Sequence, residues 1–441
     1  MNVEFYKIIN ILKENCIDYN INYSDDEINK IANNLIKEIE VNNIYDLSYI
    51  TKKIMKIVLG DYDSHTDIDF IDGNNNNINN TLPIKLKFEE GNLYIVDAND
   101  NTIKNTEIKE INGMPINQLV EEIKSITRYS TDEWLYKQVE DILSSSTQMK
   151  ILPSLRNIDK VNYSVIKDEL IENLSFDINK KYEDKFKRKE DNYSYIINGD
   201  TITMHLNACE KPKNYNSMAE YILHIDNVIK ENKINNFVLD LRGNTGGNQS
   251  DIEHLRVYFQ NILKDKKLKE NKIENIGKDL NLNISCLVDR NVFSSASLFV
   301  SELQELNIPC MGENIGTTYN NFGNPTKHDL NDIGVRLYTS TRYFYRDENK
   351  NYKYTDNKEE LKNVYQKNPD KFKIIENNNL KLNATEKKIY PILKKKQELQ
   401  KQKKQENSMI KTLSKPNGFL DIIFCSIITI IIGLILFMII R

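Results

Sequence analysis

At 441 residues, with 39% hydrophobic and 28% charged side chains, the chain is long enough for two or three domains and a sizeable core. Its 60 basic and 64 acidic residues leave a formal net charge of −4, and no basic stripe forms a face in the globular part, which argues against a nucleic-acid partner. Cys16, Cys209, Cys286, Cys310 and Cys425 never fall in CxxC spacing, and no two of the five histidines share a helix face at ligand spacing, so neither a disulfide framework nor a metal or other cofactor is expected.

The N-terminus, MNVEFYKIINILKENC, is broken by Lys and Glu every few residues and reads as an amphipathic helix rather than a signal peptide. Helical spacing recurs in INKIANNLIKEI, whose start Ser24-Asp25-Asp26-Glu27 has capping character, and in LSYITKKIMKIVL. Residues 1–66 therefore form a helical subdomain that delivers a polar loop, LGDYDSHT, carrying His65. The Asn-rich DGNNNNINN that follows is a surface insertion.

Residues 67–190 read as a small β-rich and helical subdomain. PIKLKF, NLYIVDA and EIKEI alternate as strands, Asn112-Gly113 marks a turn, and an amphipathic helix follows; a further helix covers Asp132 to Leu143. KKYEDKFKRKEDN is a solvated charge run.

Residues 191–385 form the core. A hairpin signal sits at Asn198-Gly199, and MAEYILHIDNVIKEN, NFVLDLR, DIEHLRVYFQNIL, ISCLVDR and SSASLFVSELQEL alternate helix with strand, predicting an α/β layer with parallel pairing. Cys286 and Cys310 lie in apolar strand-like runs as buried fillers. A β-rich end, GVRLYTSTRYFY, closes the core.

Residues 386–418 are a basic, Lys- and Gln-rich linker, and 419–441 a membrane anchor. Ile422 to Ile440 runs 19 residues without a charge, which at about 1.5 Å per residue roughly spans a hydrocarbon core of about 30 Å. The flanking lysines favour the cytoplasmic side, so the expectation is a single-pass tail anchor with the globular part in the cytoplasm.

The stretch on which the chemistry turns is Leu287 to Val300, LVDRNVFSSASLFV, an apolar strand running through a turn of small residues into a helical pattern. Such a corner holds a small nucleophile above the sheet and leaves the first helical N–H groups free to face a developing negative charge. Taken alone, Ser294, Ser295, Ala296 and Ser297 could equally be an N-cap cluster. They are accompanied by FVLDLRGNTGG, a strand ending in a glycine turn, and by the His65 loop; serine, histidine and a glycine turn are the parts of acyl-transfer chemistry.

Together, DLRGNTGG, SSAS and the Asp63-Ser64-His65-Thr66 loop resemble the tail-specific or C-terminal processing serine peptidases, most closely the histidine-using branch with tricorn-like and nisin-resistance-type members. The resemblance covers roughly residues 4–380. It implies a crotonase/ClpP-like βαβ spiral, and INGMPI is similar to the late part of a PDZ-type module, here degenerate. It implies Ser295 as nucleophile, being followed by Ala296 and Ser297, although Leu298 stands where the family often has Glu; Ser294 and Ser297 remain alternatives. The branch that uses a lysine about 25 residues after the serine has Asn320 at that place here and no lysine until Lys327, so His65 is the expected base. The N–H groups of Ala296 and of Gly246 or Gly247 fit the family's oxyanion site.

Asp63 and Glu313 are the candidates for orienting the imidazole, and Asp240 with Arg242 braces the glycine turn as an ion pair. The expectation is thus a membrane-anchored serine endopeptidase acting on peptides or unstructured protein segments. The alternative is a non-catalytic peptide-binding relative with an immunity or adaptor role, and a third possibility is another acyl-transfer enzyme on the same core. Oligomeric state is not legible.

Overall fold

The computed structural model describes residues 2–364, apart from 43–45, 62, 168–169, 179, 181–191, 265–275, 319 and 347–351. Three helices open the chain: α1 (Asn2–Asn15), α2 (Asp25–Asn42) and α3 (Leu47–Leu59). The start of α2 is a reciprocal cap, the Ser24 N–H donating to Glu27 Oε2 at 2.8 Å and the Glu27 N–H to Ser24 Oγ at 3.4 Å. In α3, Asp46 accepts the Tyr49 N–H at 2.8 Å, and Ile50, Ile54, Met55, Val58 and Leu59 make one buried face. The helix stops at Gly60, which has a φ of 80°, and the chain enters the His65 loop and β1 (Ile68–Phe70).

An antiparallel layer follows: β2 (Ile84–Glu89), β3 (Asn92–Ala98), β4 (Thr106–Ile111), β5 (Met114–Pro115), the helices α4 (Ile116–Ile126) and α5 (Asp132–Leu143), then β6 (Lys160–Lys167) and β7 (Leu170–Asp177). The sheet order is β2-β3-β4-β6-β7, with β5 paired to β4. Asn112 and Gly113 both have positive φ, which closes the tight β4–β5 turn. Leu119 and Ile123 of α4 and Leu135 and Val139 of α5 bury against Leu86, Leu93, Ile108 and Tyr163 of the sheet. Helix α5 spans the residues that the sequence marks because Thr131 caps it, accepting the Trp134 N–H at 3.1 Å.

The central layer comprises β8 (Tyr193–Asn198), β9 (Thr201–Leu206), α6 (Met218–Glu231), β10 (Asn236–Asp240), α7 (Gln249–Ile262), β11 (Asn283–Val288), α8 (Ser295–Glu305) and β12 (Cys310–Gly312). Its order is β12-β11-β10-β9-β8; β9 to β12 run parallel, and β8 returns antiparallel through the Asn198-Gly199 hairpin. Leu239 lies between Met204 and Cys286, and Cys286 pairs in register with Cys310, both thiols free and buried. The parallel pairing carries the segments after β9, β10, β11 and β12 to one edge, where α/β sheets bind ligands.

β13 (Asn321–Leu330) and β14 (Val335–Arg346) form a long hairpin, with β1 and β15 (Tyr352–Thr355) both on the edge of β14 away from β13, at different heights, and α9 (Lys358–Val364) after them. Leu330, Val335 and Leu337 pack against Ile8, Leu12, Ile54 and Val58, so this end of the core returns to the N-terminal helices. Residues 181–191 of the KKYEDKFKRKEDN run, the Lys- and Gln-rich linker and the apolar C-terminal segment lie outside the described residues. Among the described residues no helix is long and apolar enough to cross a membrane.

Candidate active site

Helix α8 begins at Ser295, one residue after a strained corner. Ser294 has φ 54° and ψ −130°, and the Ala296 N–H returns to the Phe293 carbonyl at 3.1 Å, as in a type II′ turn, where glycine normally stands. The Ser294 side chain makes no capping hydrogen bond, so the strain is not explained as a helix cap. Ser295, 5% exposed, donates its hydroxyl to the Gly247 carbonyl at 3.0 Å and lies within hydrogen-bonding reach of the Cys209 thiol. Ser297 is fully buried and turned inward, its hydroxyl 3.4 Å from the Val292 carbonyl.

The glycine turn is stitched to this corner by Asn244, which is fully buried: its Oδ1 accepts the Gly246 N–H at 2.8 Å, its Nδ2 donates to the Leu206 carbonyl at 2.9 Å, and its carbonyl accepts the Phe293 N–H at 3.0 Å. Of the three amides expected to face an oxyanion, those of Gly246 and Ala296 are thus engaged locally. The Gly247 N–H makes no hydrogen bond among the described residues, and neither does that of Ser295, the first residue of α8.

Gly247 has φ 144°, and a Cβ built there would meet the Cys209 carbonyl oxygen at 2.3 Å. Gly247→Ala is therefore expected to destabilise the protein by about 1–3 kcal/mol through backbone displacement, read as a lower denaturant midpoint, with any peptidase activity lost along with it.

Below the turn, Asp240 accepts from the Arg242 backbone N–H at 3.1 Å and from its guanidinium, Nε to Oδ1 at 2.9 Å and Nη2 to Oδ2 at 2.8 Å, and lies 3.2 Å from His205 Nδ1. Burial alone would raise the Asp240 carboxyl, but the His205 and Arg242 hydrogen bonds outweigh it and hold it at about 2. On β11's side, half-buried Asp289 accepts the N–H groups of Gly243 at 2.8 Å and Asn291 at 3.0 Å, tying the two turns together.

His65 is enclosed, its side chain 8% exposed, with the ring against Phe293 at a centroid separation of 4.4 Å. Its Nε2 is buried without a hydrogen-bond partner, and its Nδ1 lies 3.8 Å from Asp63 Oδ1, beyond hydrogen-bonding distance. Asp63 instead closes the loop on itself: it accepts the His65 N–H at 2.7 Å and the Thr66 hydroxyl, and its outer oxygen faces Arg128 at 3.4 Å. Arg128, 5% exposed, also holds Asp18 and donates to the Gly60 carbonyl at 2.7 Å. Cys16, Asp18 and Asp63 have ligand-type atoms within 4.8 Å of one another, but the Arg128 guanidinium already supplies the positive charge those carboxylates need. Ser64 links the loop onward: it accepts the Ser130 N–H at 3.0 Å, and the Ser130 hydroxyl lies 3.2 Å from that of Thr317.

Glu313 is committed elsewhere. Its carboxylate pairs with Lys87 of β2 and with Arg290 Nε at 3.2 Å; burial would raise it, but these two cations hold it at about 2. Arg290 also donates to the Phe88 carbonyl at 2.6 Å and to Glu140 at 2.8 Å, so Glu313 belongs to a charged clamp between the small sheet and the strand that leads to the serines. Sequence reasoning missed Asn244, Asp289, Arg290, Arg128, Phe293 and Trp134. Only the NTGG and LVDRN phrases bordering the motifs could have signalled the first three.

A strained serine corner raised on the carboxyl edge of a parallel sheet, beside a glycine turn, is the architecture of an α/β serine hydrolase. Residues 201–358 match the model of peptidase family S41. In fold the chain is similar to mature CPAF, at 10% identity over 80% of this chain and 90% of that chain with a TM-score of 0.50, and to mature CPAF complexed with lactacystin, at 10% identity over 80% and 91% with the same score. The photosystem II D1 C-terminal processing protease aligns at 11% identity over 81% of this chain and 90% of that one, with a TM-score of 0.42. No curated protein matches the chain in sequence.

Proposed function

We propose that the chain is a membrane-tethered serine endopeptidase in which Ser295 is the nucleophile and His65 the general base. The carrying observation is the histidine: a buried imidazole nitrogen without a partner is costly, and this one belongs to a ring packed on the residue that opens the serine corner. In this reading the Ser295 hydroxyl leaves the Gly247 carbonyl, passes its proton to His65 Nε2 as it attacks the peptide carbonyl, and the imidazolium returns that proton to the departing amine. The free N–H groups of Gly247 and Ser295 would receive the oxyanion, and that of Ala296 only if it left the Phe293 carbonyl. Asp63 stabilises the imidazolium across 3.8 Å and fixes the loop, while Asp240 and Arg242 brace the glycine turn. Glu313 has a supporting role through its clamp.

We read the core as a crotonase/ClpP-like spiral and the small sheet with α4 and α5 as a degenerate PDZ-like module bordering the substrate cleft. The apolar C-terminal segment would anchor the chain, and its lysine flank would keep the catalytic part in the cytoplasm. Tethering would raise the effective concentration near membrane-bound peptides.

One observation favours a second assignment of the nucleophile. Ser294, not Ser295, carries the strained backbone, and the unpaired Ser295 N–H is the amide after it. Nucleophile elbows combine those two features.

The test is incubation of the full chain with a peptide library across pH. Burial lowers the His65 pKa, with Asp63 opposing, so the neutral base persists below the ordinary imidazole value of about 6.5. Cleavage is therefore expected to hold at pH 6.5 and to fall only as pH drops through the depressed value. Peptides bound but left intact at every pH would replace the peptidase reading with that of a peptide-binding relative.

A further inference from the structure

We infer that Phe293 is a positioning residue for His65 and that Trp134 of α5 clamps it, so that the small domain completes the active site. The inference rests on the reading of His65 as general base. Neither ring nitrogen of His65 is fixed by a hydrogen bond within the described structure: Nε2 has no partner and Nδ1 stands 3.8 Å from its nearest carboxylate oxygen. A histidine base ordinarily has its ring set by the bond its second nitrogen makes. Here the plane of the ring is set by packing. Phe293 lies 4.4 Å away at 35°, and Trp134 lies 4.0 Å beyond Phe293 at 20°, making a three-ring stack with the imidazole at its end.

The other two members of the stack are held much more firmly than the imidazole. Phe293 is 6% exposed, and its backbone bonds both to Asn244 of the glycine turn and to Ala296 of the corner. Trp134 sits in the first turn of α5, where the capping Thr131 hydroxyl also donates to the Gly316 carbonyl at 2.8 Å. Gly316 has no room for a side chain, since a Cβ there would lie 2.5 Å from the Arg290 carbonyl oxygen and 2.9 Å from Trp134 Cε3. Arg290, three residues before Phe293, binds Glu140 on the same helix. Helix α5 therefore grips the segment from Arg290 to Phe293 at both ends; the Ser130 N–H ties the α5 start to the loop through Ser64, while Phe293 passes the grip to the imidazole ring itself.

The groups facing the imidazole are few. Asp63 is the charged one, with Arg128 behind it; Gly323, whose Cβ would come 3.9 Å from Nε2, Phe344 beside it, and Phe293 are uncharged. Removing Phe293 opens the ring to water without adding a charge. The expected consequences differ from those of a merely destabilising change.

The experiment follows the His65 imidazole by NMR in the full chain, its resonance assigned by its absence in His65→Gln, together with the pH profile of peptide cleavage. In Phe293→Leu the His65 titration and the acid limb of the profile are expected to move upward towards ordinary imidazole, with kcat down about ten- to a hundredfold and KM little changed. Trp134→Ala, which leaves both His65 and Phe293 in place, should reproduce the shift in weaker form, and Phe293→Tyr should keep the wild-type titration. An unmoved titration in Trp134→Ala and in folded Phe293→Leu would overturn the inference; if Phe293→Leu does not fold, Trp134→Ala against Phe293→Tyr decides alone. A titration that moves in a chain that cleaves nothing would sink the peptidase reading and leave the stack standing.

Discussion

Alanine at Ser295 is expected to reduce peptide cleavage by about a million-fold while leaving peptide binding intact, the size of effect that follows loss of a serine nucleophile. The companion substitution is Ser294→Gly. Ser294 occupies a backbone position with φ 54°, where glycine carries no Cβ penalty, so this variant should retain activity and lose nothing in stability. The pair separates the two serines by mechanism. If Ser295 is the nucleophile, Ser294→Gly cleaves and Ser295→Ala does not; the reverse pattern assigns the chemistry to the strained residue. His65→Ala is expected to fall with Ser295→Ala rather than add to it, since a base and its nucleophile act as one unit.

The second large effect concerns Arg128. Its side chain is 2% exposed and holds Asp18 at 2.5 Å and Asp63 at 3.4 Å, themselves 3% and 0% exposed. Arg128→Met keeps the volume but strands two buried carboxylates, at a cost of about 3–5 kcal/mol. The pH dependence identifies the cause. Burial raises the Asp18 pKa and Arg128 lowers it, so without Arg128 it rises further. A carboxyl whose folded-state pKa lies above its unfolded value favours folding below the unfolded value, and that contribution is lost as pH rises through the folded one. The stability deficit of Arg128→Met against wild type should accordingly be largest at neutral pH and shrink on acidification, measured by denaturant unfolding at both. A deficit constant with pH would mean that packing rather than charge is lost. Because Asp63 closes the His65 loop, activity should fall along with stability.

Much of the architecture was legible because it is local. Thr131 ahead of an amphipathic run marks α5, Ser24 and Glu27 mark α2, and Asn112-Gly113 marks the turn after β4; each is settled by residues within four positions of one another. The alternation of strand and helix from residue 193 on carries the parallel layer for the same reason. The site was legible only in its phrases. DLRGNTGG and SSAS could be read as turns, but His65 stands out from four other histidines only through the family resemblance. Beyond the local Asp240–Arg242 pair, the charged partners could not be read. Glu313 was a candidate to orient the imidazole; in space its partners are Lys87 and Arg290, and a partly exposed carboxylate pairs with those. Arg128 meets Asp18 across 110 residues and Arg290 meets Phe88 across 202, separations at which no periodicity carries a signal.

The strain at Ser294 was invisible for a different reason. A serine cluster before a helix normally means a cap, and here the cap residue makes no capping bond. The residue type was right for the common motif, while the backbone serves another purpose.

The most direct test of a serine nucleophile beside a histidine base is covalent labelling of the full chain with a fluorophosphonate, followed by mass spectrometry of the peptide spanning Asn291 to Leu303. The account predicts a single adduct on Ser295, absent in Ser295→Ala and formed far more slowly in His65→Ala. An adduct on Ser294, or peptide cleavage by a chain that takes no label, would contradict it.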